Sequence, residues 1–583
     1  MTDHKVEHHA DMIIEWDVPI EMNDGTILRA DIFRPSKGED VPAILAMGPY
    51  GKLVHFSEGY PQQWSWIVDQ KPEVLEGSSN KYQNFEVCDP EKFVPDGFAC
   101  VRVDSRGAGR SPGFLDPWSA LEAEDLYNCI EWCAELDWCN GRIGLSGTSY
   151  LAMNQWQVAE LQPPSLSAIC VWEGAHDYYR EMAWHGGILC TFSEIWYGPV
   201  VLPVQHGVGE NGYKSSMNGE WVAGPHTLSD GELAANRTDW HSQCKQNKLA
   251  TDEFWTSRLP DFSKITVPIL STANWGGQGL HLRGNIEGFL HAASEHKWLD
   301  IHTLDHWTEY YTDYGVNLQK RFFNCFLKGE ANGWLDQPKV HMQVRQPDTA
   351  DFEWRDEQEW PLARTEWTKY YFDADRLLLT QNPPVEEGEI TYGGSSDGIT
   401  FLTPPLERET EITGPMAARL FVSSDTDDAD LFLIVRVFTP DLREIVFPGH
   451  IDPNTPIAQG WLRASHRKLD VTKSLEYRPY HTHDEIQKLS PGEVYELDVE
   501  ILPSCIVIPE NYRIGVTIRG RDYTSPNIDH GREVSHLGSL TGVGLFRHDD
   551  VDDRPTDACD GNVTLLTGSN TQAHILLPVI PRY

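Results

Sequence analysis

The stretch Gly141 to Ala159, G-R-I-G-L-S-G-T-S-Y-L-A-M-N-Q-W-Q-V-A, limits what this chain can fold into more than any other. A short apolar run, Arg142 to Leu145, leads to Ser149 through Gly147. The chain leaves in a helix-like segment with apolar residues at Leu151, Val158 and Ala159. A strand, a sharp turn and a helix, with a hydroxyl on the turn, expose a nucleophile at the top of a sheet. The pattern points to a serine hydrolase.

The flanking sequence supplies the rest of such a sheet. Residues 13 to 34 read as two strands around Asn23-Asp24-Gly25, a strong hairpin signal. Val41 to Met47 and Phe98 to Val103 read as buried strands, the first ending in Gly48-Pro49-Tyr50-Gly51 and the second in D-S-R-G-A-G-R-S-P-G. Gly107 and Gly109 lack the third glycine of a dinucleotide fingerprint, so a turn held by Asp104 and Arg106 is preferred. Leu121 to Trp132 reads as a helix, Ala168 to Trp172 as a strand ending at Glu173, and Val267 to Ala273 and Lys297 to Ile301 as two more strands. A helix over Leu282 to Ala293 separates the last two, and another ends at Gly329. Strands alternating with helices argue for a mostly parallel sheet covered on both faces.

Residues 178 to 260 break this rhythm with Trp, His and Gly, and read as a helical cap inserted over the site. Beyond about residue 336 come short alternating runs, including Ala417 to Val422, Leu431 to Phe438, Val494 to Ile501 and Tyr512 to Arg519. These predict a β-sandwich or jelly roll. The expected division is therefore an α/β core over 1–177 and 261–335, a cap over 178–260 and a β domain over 336–583.

Composition narrows the partners. With 88 Asp+Glu against 47 Lys+Arg the net charge is −41, which disfavours nucleic acid and anionic membranes. The chain has neither a long apolar run nor an apolar signal core, so the expectation is a cytoplasmic protein. Its 11 cysteines read as reduced thiols. No His completes a zinc pattern with Cys129, Cys133 and Cys139, so neither metal nor cofactor is expected.

A serine hydroxyl needs a base, an acid that orients the base, and donors for the oxyanion. In this architecture they arrive in the order Ser, acid, His. His306, in H-T-L-D-H-W after the last buried strand, is the candidate base, with His302 its competitor. The backbone N–H of Tyr150 and the phenol of Tyr50 are the candidate oxyanion donors; the alternative for Tyr50 is an aromatic packed in a turn.

Several motifs together resemble the cocaine esterase and X-Pro dipeptidyl-peptidase family of α/β-hydrolases. They are G-P-Y-G-K at 48–52, D-x-R-G-x-G-x-S at 104–111, G-T-S-Y-L-A at 147–152, R-F-F-N-x-F-L-K-G at 321–329 and G-W-L-R-A-S-H-R at 460–467. The resemblance implies an α/β-hydrolase domain, a helical cap and a C-terminal jelly roll. It also implies acylation of Ser149, with His306 as base and Tyr50 as oxyanion donor. Two departures stand out. Ala152 replaces the family's Gly, and the turn that carries the family's acid reads Asn274-Trp275-Gly276-Gly277, with no carboxylate at Gly277.

Glu173, at the end of the strand that follows the elbow helix, is the chosen substitute acid; its alternative role is pairing with an Arg such as Arg180. Asn274 is the second choice and Asp305 the third. Loss of the acid through Glu173→Gln is expected to lower turnover several hundredfold. Trp184, His185, Trp196 and Trp275 are expected to line an apolar substrate pocket. The primary function is an esterase or amidase acting through an acyl-enzyme on a small ester or amide. The alternatives are an acyltransferase using the same intermediate and a non-catalytic binding protein with a decayed triad. An X-Pro aminopeptidase ranks below an esterase, and a homodimer is open.

Overall fold

Asn23-Asp24-Gly25 turns the chain between β2 (Met12–Glu21) and β3 (Ile27–Pro35), and Gly25 takes φ +81°, which a side chain would strain. β1 (Lys5–His8) pairs with β2. The continuous apolar runs then become β4 (Val41–Gly48) and β5 (Ala99–Asp104), whose residues are all buried, as strands covered on both faces require. β6 (Cys139–Thr148), β7 (Leu166–Trp172), β8 (Ile269–Asn274), β9 (Lys297–His302), β10 (Val340–Val344) and β11 (Glu353–Glu357) complete one sheet. Among the described residues its order is β1-β2-β3-β5-β4-β6-β7-β8-β9-β10-β11, with β4 to β10 parallel. This computed structural model describes residues 4–581 apart from 39, 348–351, 527–532, 535–537 and 556–558.

Helices α1 (Ala120–Ala134), α2 (Tyr150–Glu160), α3 (His281–His291) and α4 (Asp313–Lys328) connect the strands. Ser119 caps α1 and Thr312 caps α4, each accepting a backbone N–H, and Gly329 at φ +72° ends α4. α4 packs so closely on β6 that a Cβ at Gly144 would lie 2.6 Å from the Phe323 ring.

The sequence motifs bind this framework together. The Asp104 carboxylate accepts N–H bonds from Lys52 (2.7 Å) and Arg110 (2.8 Å), and a Cβ at Gly109 would fall 2.2 Å from it. Arg106 pairs with Asp125 and Asp24 at 2.8 Å each. The buried Lys52 ammonium lies 2.9 Å from Asp31. The loop that carries Tyr50 is thus pinned to the end of β5.

Residues 178–260 fold as short helices, including Phe192–Trp196, Asp230–Ala235 and Trp240–Gln246, around a two-strand hairpin of Trp184–His185 and Ile188–Leu189. An all-β domain with its own core follows, in which Thr410–Ser424 pairs antiparallel with Tyr495–Ile508. Beyond residue 335, β10 and β11 extend the α/β sheet to Glu357 before the β domain begins. β11 is exposed or half-buried at four of its five positions and holds a single apolar residue, Trp354, so no buried run marks it. Among the described residues no helix is long and apolar enough to cross a membrane.

Candidate active site

Ser149 sits between β6 and α2 at φ +58°, ψ −117°. Its N–H donates to the Trp172 carbonyl at 3.1 Å, tying the turn to the neighbouring strand. A Cβ at Gly147 would come within 2.5 Å of Leu151, so the elbow needs glycine there. Ala152 is fully buried; a Cβ on Gly174 would approach its methyl to 3.3 Å. Tyr150 opens α2, so its backbone N–H has no intrahelical acceptor and points out beside Ser149. Its side chain is buried, with the phenol donating to Glu122 and the ring stacked on Trp118.

Across the strand ends, the buried His306 holds its Nδ1 2.6 Å from Glu173 Oε2. Glu173 is buried at φ +48°, directly beyond β7, and its N–H donates to Thr272 at 2.7 Å. Its other oxygen, Oε1, accepts from Asn274 Nδ2 at 3.2 Å and lies 3.1 Å from His302 Nε2. Asn274 is held by Gly276 N–H on its Oδ1 and by the Leu304 carbonyl on its Nδ2. Arg180, the alternative partner for Glu173, pairs instead with Asp177 at 2.6 Å. Asp305 accepts from the backbone of Trp307 and Thr308 and from Thr308 Oγ1, stabilising the turn after His306.

The phenol of Tyr50 accepts from Trp196 Nε1 at 3.0 Å, which leaves its own proton free to donate. Burial first, and the nearby Glu86 second, push its pKa well above the ordinary value, so it stays protonated. Burial, followed by the charge of His302, holds His306 well below 6.5. For His302 burial acts in the same direction, but the Glu173 carboxylate beside it prevails and raises its pKa.

Three further residues complete the site. Glu86, from the insertion after β4, places Oε1 3.0 Å from Trp307 Nε1 and 3.3 Å from His306 Nε2. Burial, and then the charge of Glu173, push it far above the usual carboxylate range. His281, at the start of α3, offers Nε2 at 3.4 Å from Ser149 Oγ, and His450 reaches in from the β domain. Nothing in the sequence marks these three, since each comes from a segment without periodicity or motif. The one available clue, a histidine after Pro448-Gly449, lies in a different domain. Ser149, Glu173 and Glu86 all have positive φ, the kind of local strain that collects at functional sites.

The pocket in front of Ser149 is walled by Tyr60, Phe85, Phe192, Ile195, Trp196 and Leu545. Trp196 lies where expected, whereas Trp184, His185 and Trp275 do not. Trp184 is buried in the cap, donating to the Cys244 carbonyl at 3.0 Å. His185 faces a separate cavity, stacked on Trp461 and bonded to His548 at 2.9 Å. Trp275 packs on Trp360 and donates to the Gln343 carbonyl at 2.8 Å. In each case a buried indole or imidazole found a polar partner away from the pocket.

Known proteins share this fold. Residues 24–308 match the X-Pro dipeptidyl-peptidase (S15 family) profile, and residues 332–539 match the X-Pro dipeptidyl-peptidase C-terminal non-catalytic domain. A crystal structure of a CocE/NonD family hydrolase from Staphylococcus aureus superposes with a TM-score of 0.83 at 32% identity, covering 98% of this chain and 94% of that one. This chain belongs to the CocE/NonD hydrolase family. Cocaine esterase of Rhodococcus sp. (strain MB1 Bresler) is 26% identical over 97% of this chain and 98% of its own length. An aminopeptidase from a Thaumarchaeota archaeon, at 15% identity and a TM-score of 0.68, shares the fold. As a CocE/NonD hydrolase, the protein is a serine hydrolase with an α/β-hydrolase fold and a C-terminal all-β domain.

Proposed function

We propose that this CocE/NonD hydrolase is an esterase for small uncharged esters with apolar acyl groups, acting through Ser149, His306 and Glu173. The observation that carries the reading is the 2.6 Å contact of Glu173 with His306 Nδ1 beside a serine on a strained elbow. Glu173 fixes the proton on Nδ1, leaving the Nε2 lone pair to take the proton from Ser149. The acyl carbon is attacked by Ser149 Oγ, and its oxygen is met by the Tyr50 phenol and the Tyr150 N–H. His306 then protonates the leaving alcohol, and water resolves the acyl-enzyme by the reverse steps. The aromatic wall and a Glu86 held neutral by burial favour an uncharged, apolar acyl chain.

A second reading has His281 as base, because Ser149 Oγ lies 3.4 Å from its Nε2. Two features favour His306. His281 Nδ1 is buried without a partner, so its imidazolium would be uncompensated, whereas His306 has a carboxylate in place. Catalytic hydrogen bonds are often loose before substrate binds, so the 3.4 Å contact with His281 does not by itself assign the base. The test is hydrolysis of p-nitrophenyl esters of increasing chain length together with labelling by a fluorophosphonate. Labelling should vanish in Ser149→Ala, and turnover should collapse in His306→Ala far more than in His281→Ala. The opposite order would transfer the base to His281, and labelling that survives Ser149→Ala would refute the nucleophile.

A further inference from the structure

Three imidazoles from three parts of the chain meet over Ser149. His281 opens α3, His306 follows β9 and His450 comes from a loop of the all-β domain. Their ring centres form a triangle of 4.7 Å (281–306), 4.0 Å (306–450) and 5.4 Å (281–450). One ring nitrogen of each lies within 4.8 Å of the other two, and all three rings are buried.

Packing alone accounts poorly for this cluster. Nδ1 of His450 is buried without a hydrogen-bond partner, a polar atom that a cation could satisfy. His185, Cys190 and His548 form a comparably tight group, and comparison with it is instructive. There Asp522 binds His548 Nδ1 at 2.8 Å, His548 Nε2 meets His185 Nδ1 at 2.9 Å, and His185 Nε2 meets the Glu181 carbonyl at 3.3 Å. That chain is closed by its own hydrogen bonds, while the cluster over Ser149 is open.

We infer that His281, His306 and His450 bind one divalent transition-metal cation, with Zn²⁺ the best match, and that its occupancy switches the hydrolase off. Neutral imidazoles suit zinc, and burial keeps all three neutral. Zn–N bonds of about 2.0–2.1 Å in a tetrahedral site set ligand atoms about 3.3 Å apart, so the nitrogens, now within 4.8 Å, need to close by up to about 1.5 Å, and the rings, now stacked at 5°, 25° and 23°, need to turn so that their in-plane lone pairs converge. Ser149 Oγ, 3.4 Å from His281 Nε2, already has that spacing and takes the fourth position. Glu173 on His306 Nδ1 supplies the carboxylate that orients metal-bound imidazoles. The cation would take the His306 Nε2 lone pair and the serine oxygen, the two atoms that acyl transfer needs. The switching rests on the Ser149–His306 reading above; the binding does not.

The full chain, cleared with a chelator, is titrated with Co²⁺ followed by visible absorption and with Zn²⁺ followed by calorimetry and ester hydrolysis. One cation per chain is expected, with Co²⁺ bands of a four- or five-coordinate nitrogen–oxygen site. Hydrolysis should fall in step with occupancy and return with chelator. His450→Phe preserves the ring packing but removes a ligand. Loss of an orienting residue alone costs about 10–100-fold in metal affinity, so this variant should weaken Zn²⁺ binding by about 100-fold or more. His281→Phe should do the same and guards against a folding defect in the first variant. Absence of Zn²⁺ binding below about 1 mM, some 4 kcal/mol of affinity, overturns the proposal, as does unchanged affinity in both variants. Stoichiometric binding with full activity overturns the switch and counts against Ser149 and His306 as the reacting pair.

Discussion

Replacing Glu173 with Gln tests the proposed triad through hydrogen-bond direction alone, because the two side chains are nearly isosteric. Asn274 is fixed with Oδ1 on the Gly276 N–H, so its Nδ2 must donate toward Glu173 Oε1. His302, with its raised pKa, lies 3.1 Å from that oxygen and adds a positive neighbour on that side. A glutamine must therefore place its carbonyl oxygen at the Oε1 position and its NH₂ against His306 Nδ1. That Nδ1 then becomes an acceptor, the proton moves to Nε2, and His306 can no longer take the proton from Ser149. An amide that inverts the tautomer in a protease triad costs about 10⁴ in turnover, or about 5.5 kcal/mol, more than the several hundredfold expected from sequence. The assay is kcat for a p-nitrophenyl ester, with circular dichroism to confirm folding. Activity of the variant within about tenfold of wild type would refute the argument, since orientation by Glu173 would then contribute less than about 1.4 kcal/mol.

Tyr50→Phe removes an oxyanion donor and should lower kcat by about 10² to 10³ with little change in KM; a purely packing role would leave kcat intact. Because burial and the charge of His302 hold His306 below 6.5, the base stays neutral on falling pH past that value, and the acid limb of kcat/KM should lie below pH 6.5. A half-maximal point at or above pH 7 would contradict that direction. Lys52→Met leaves Asp31 and Asp104 as unpaired buried carboxylates and should cost about 3–5 kcal/mol in denaturant unfolding, since the buried pair loses its cation.

The parts legible in the sequence are those in which a short apolar run ends at glycine or a polar residue. Such runs fixed the positions of β4 to β9, and with them the strand ends at which Tyr50, Ser149, Glu173, Asn274 and His306 stand. Sheet order then brings those ends together. Side-chain direction was less accessible. Trp184, His185 and Trp275 have the composition of a pocket wall, yet each is drawn away by a single hydrogen bond or ring contact that no local pattern encodes. β11 was hidden because an edge strand with few apolar residues leaves no buried run, and β10 because its short V-H-M-Q-V alternates like a strand of the domain that follows. Glu86, His281 and His450 depend on how an insertion, a helix start and a second domain pack together, which is a tertiary property.

The turn that lacks the acid is also the one that admits the extra histidine. In the family pattern the turn after β8 carries the carboxylate, whereas here it reads Asn274-Trp275-Gly276-Gly277 and serves as a dock. A Cβ at Gly276 would lie 2.3 Å from Gly449 Cα, so the β-domain loop can approach only because that side chain is absent. The loop is then stitched in place by His450 N–H on the Gly276 carbonyl (3.1 Å) and His306 N–H on the His450 carbonyl (2.8 Å). The same contact that fills the turn delivers the His450 ring to within 4.0 Å of His306. A carboxylate for His306 then has to come from the other side, and β7, hydrogen-bonded between β6 and β8, is the strand whose end reaches it. Glu173 does so from a left-handed backbone position, with Asn274, from the turn that lacks the acid, as the donor that holds it.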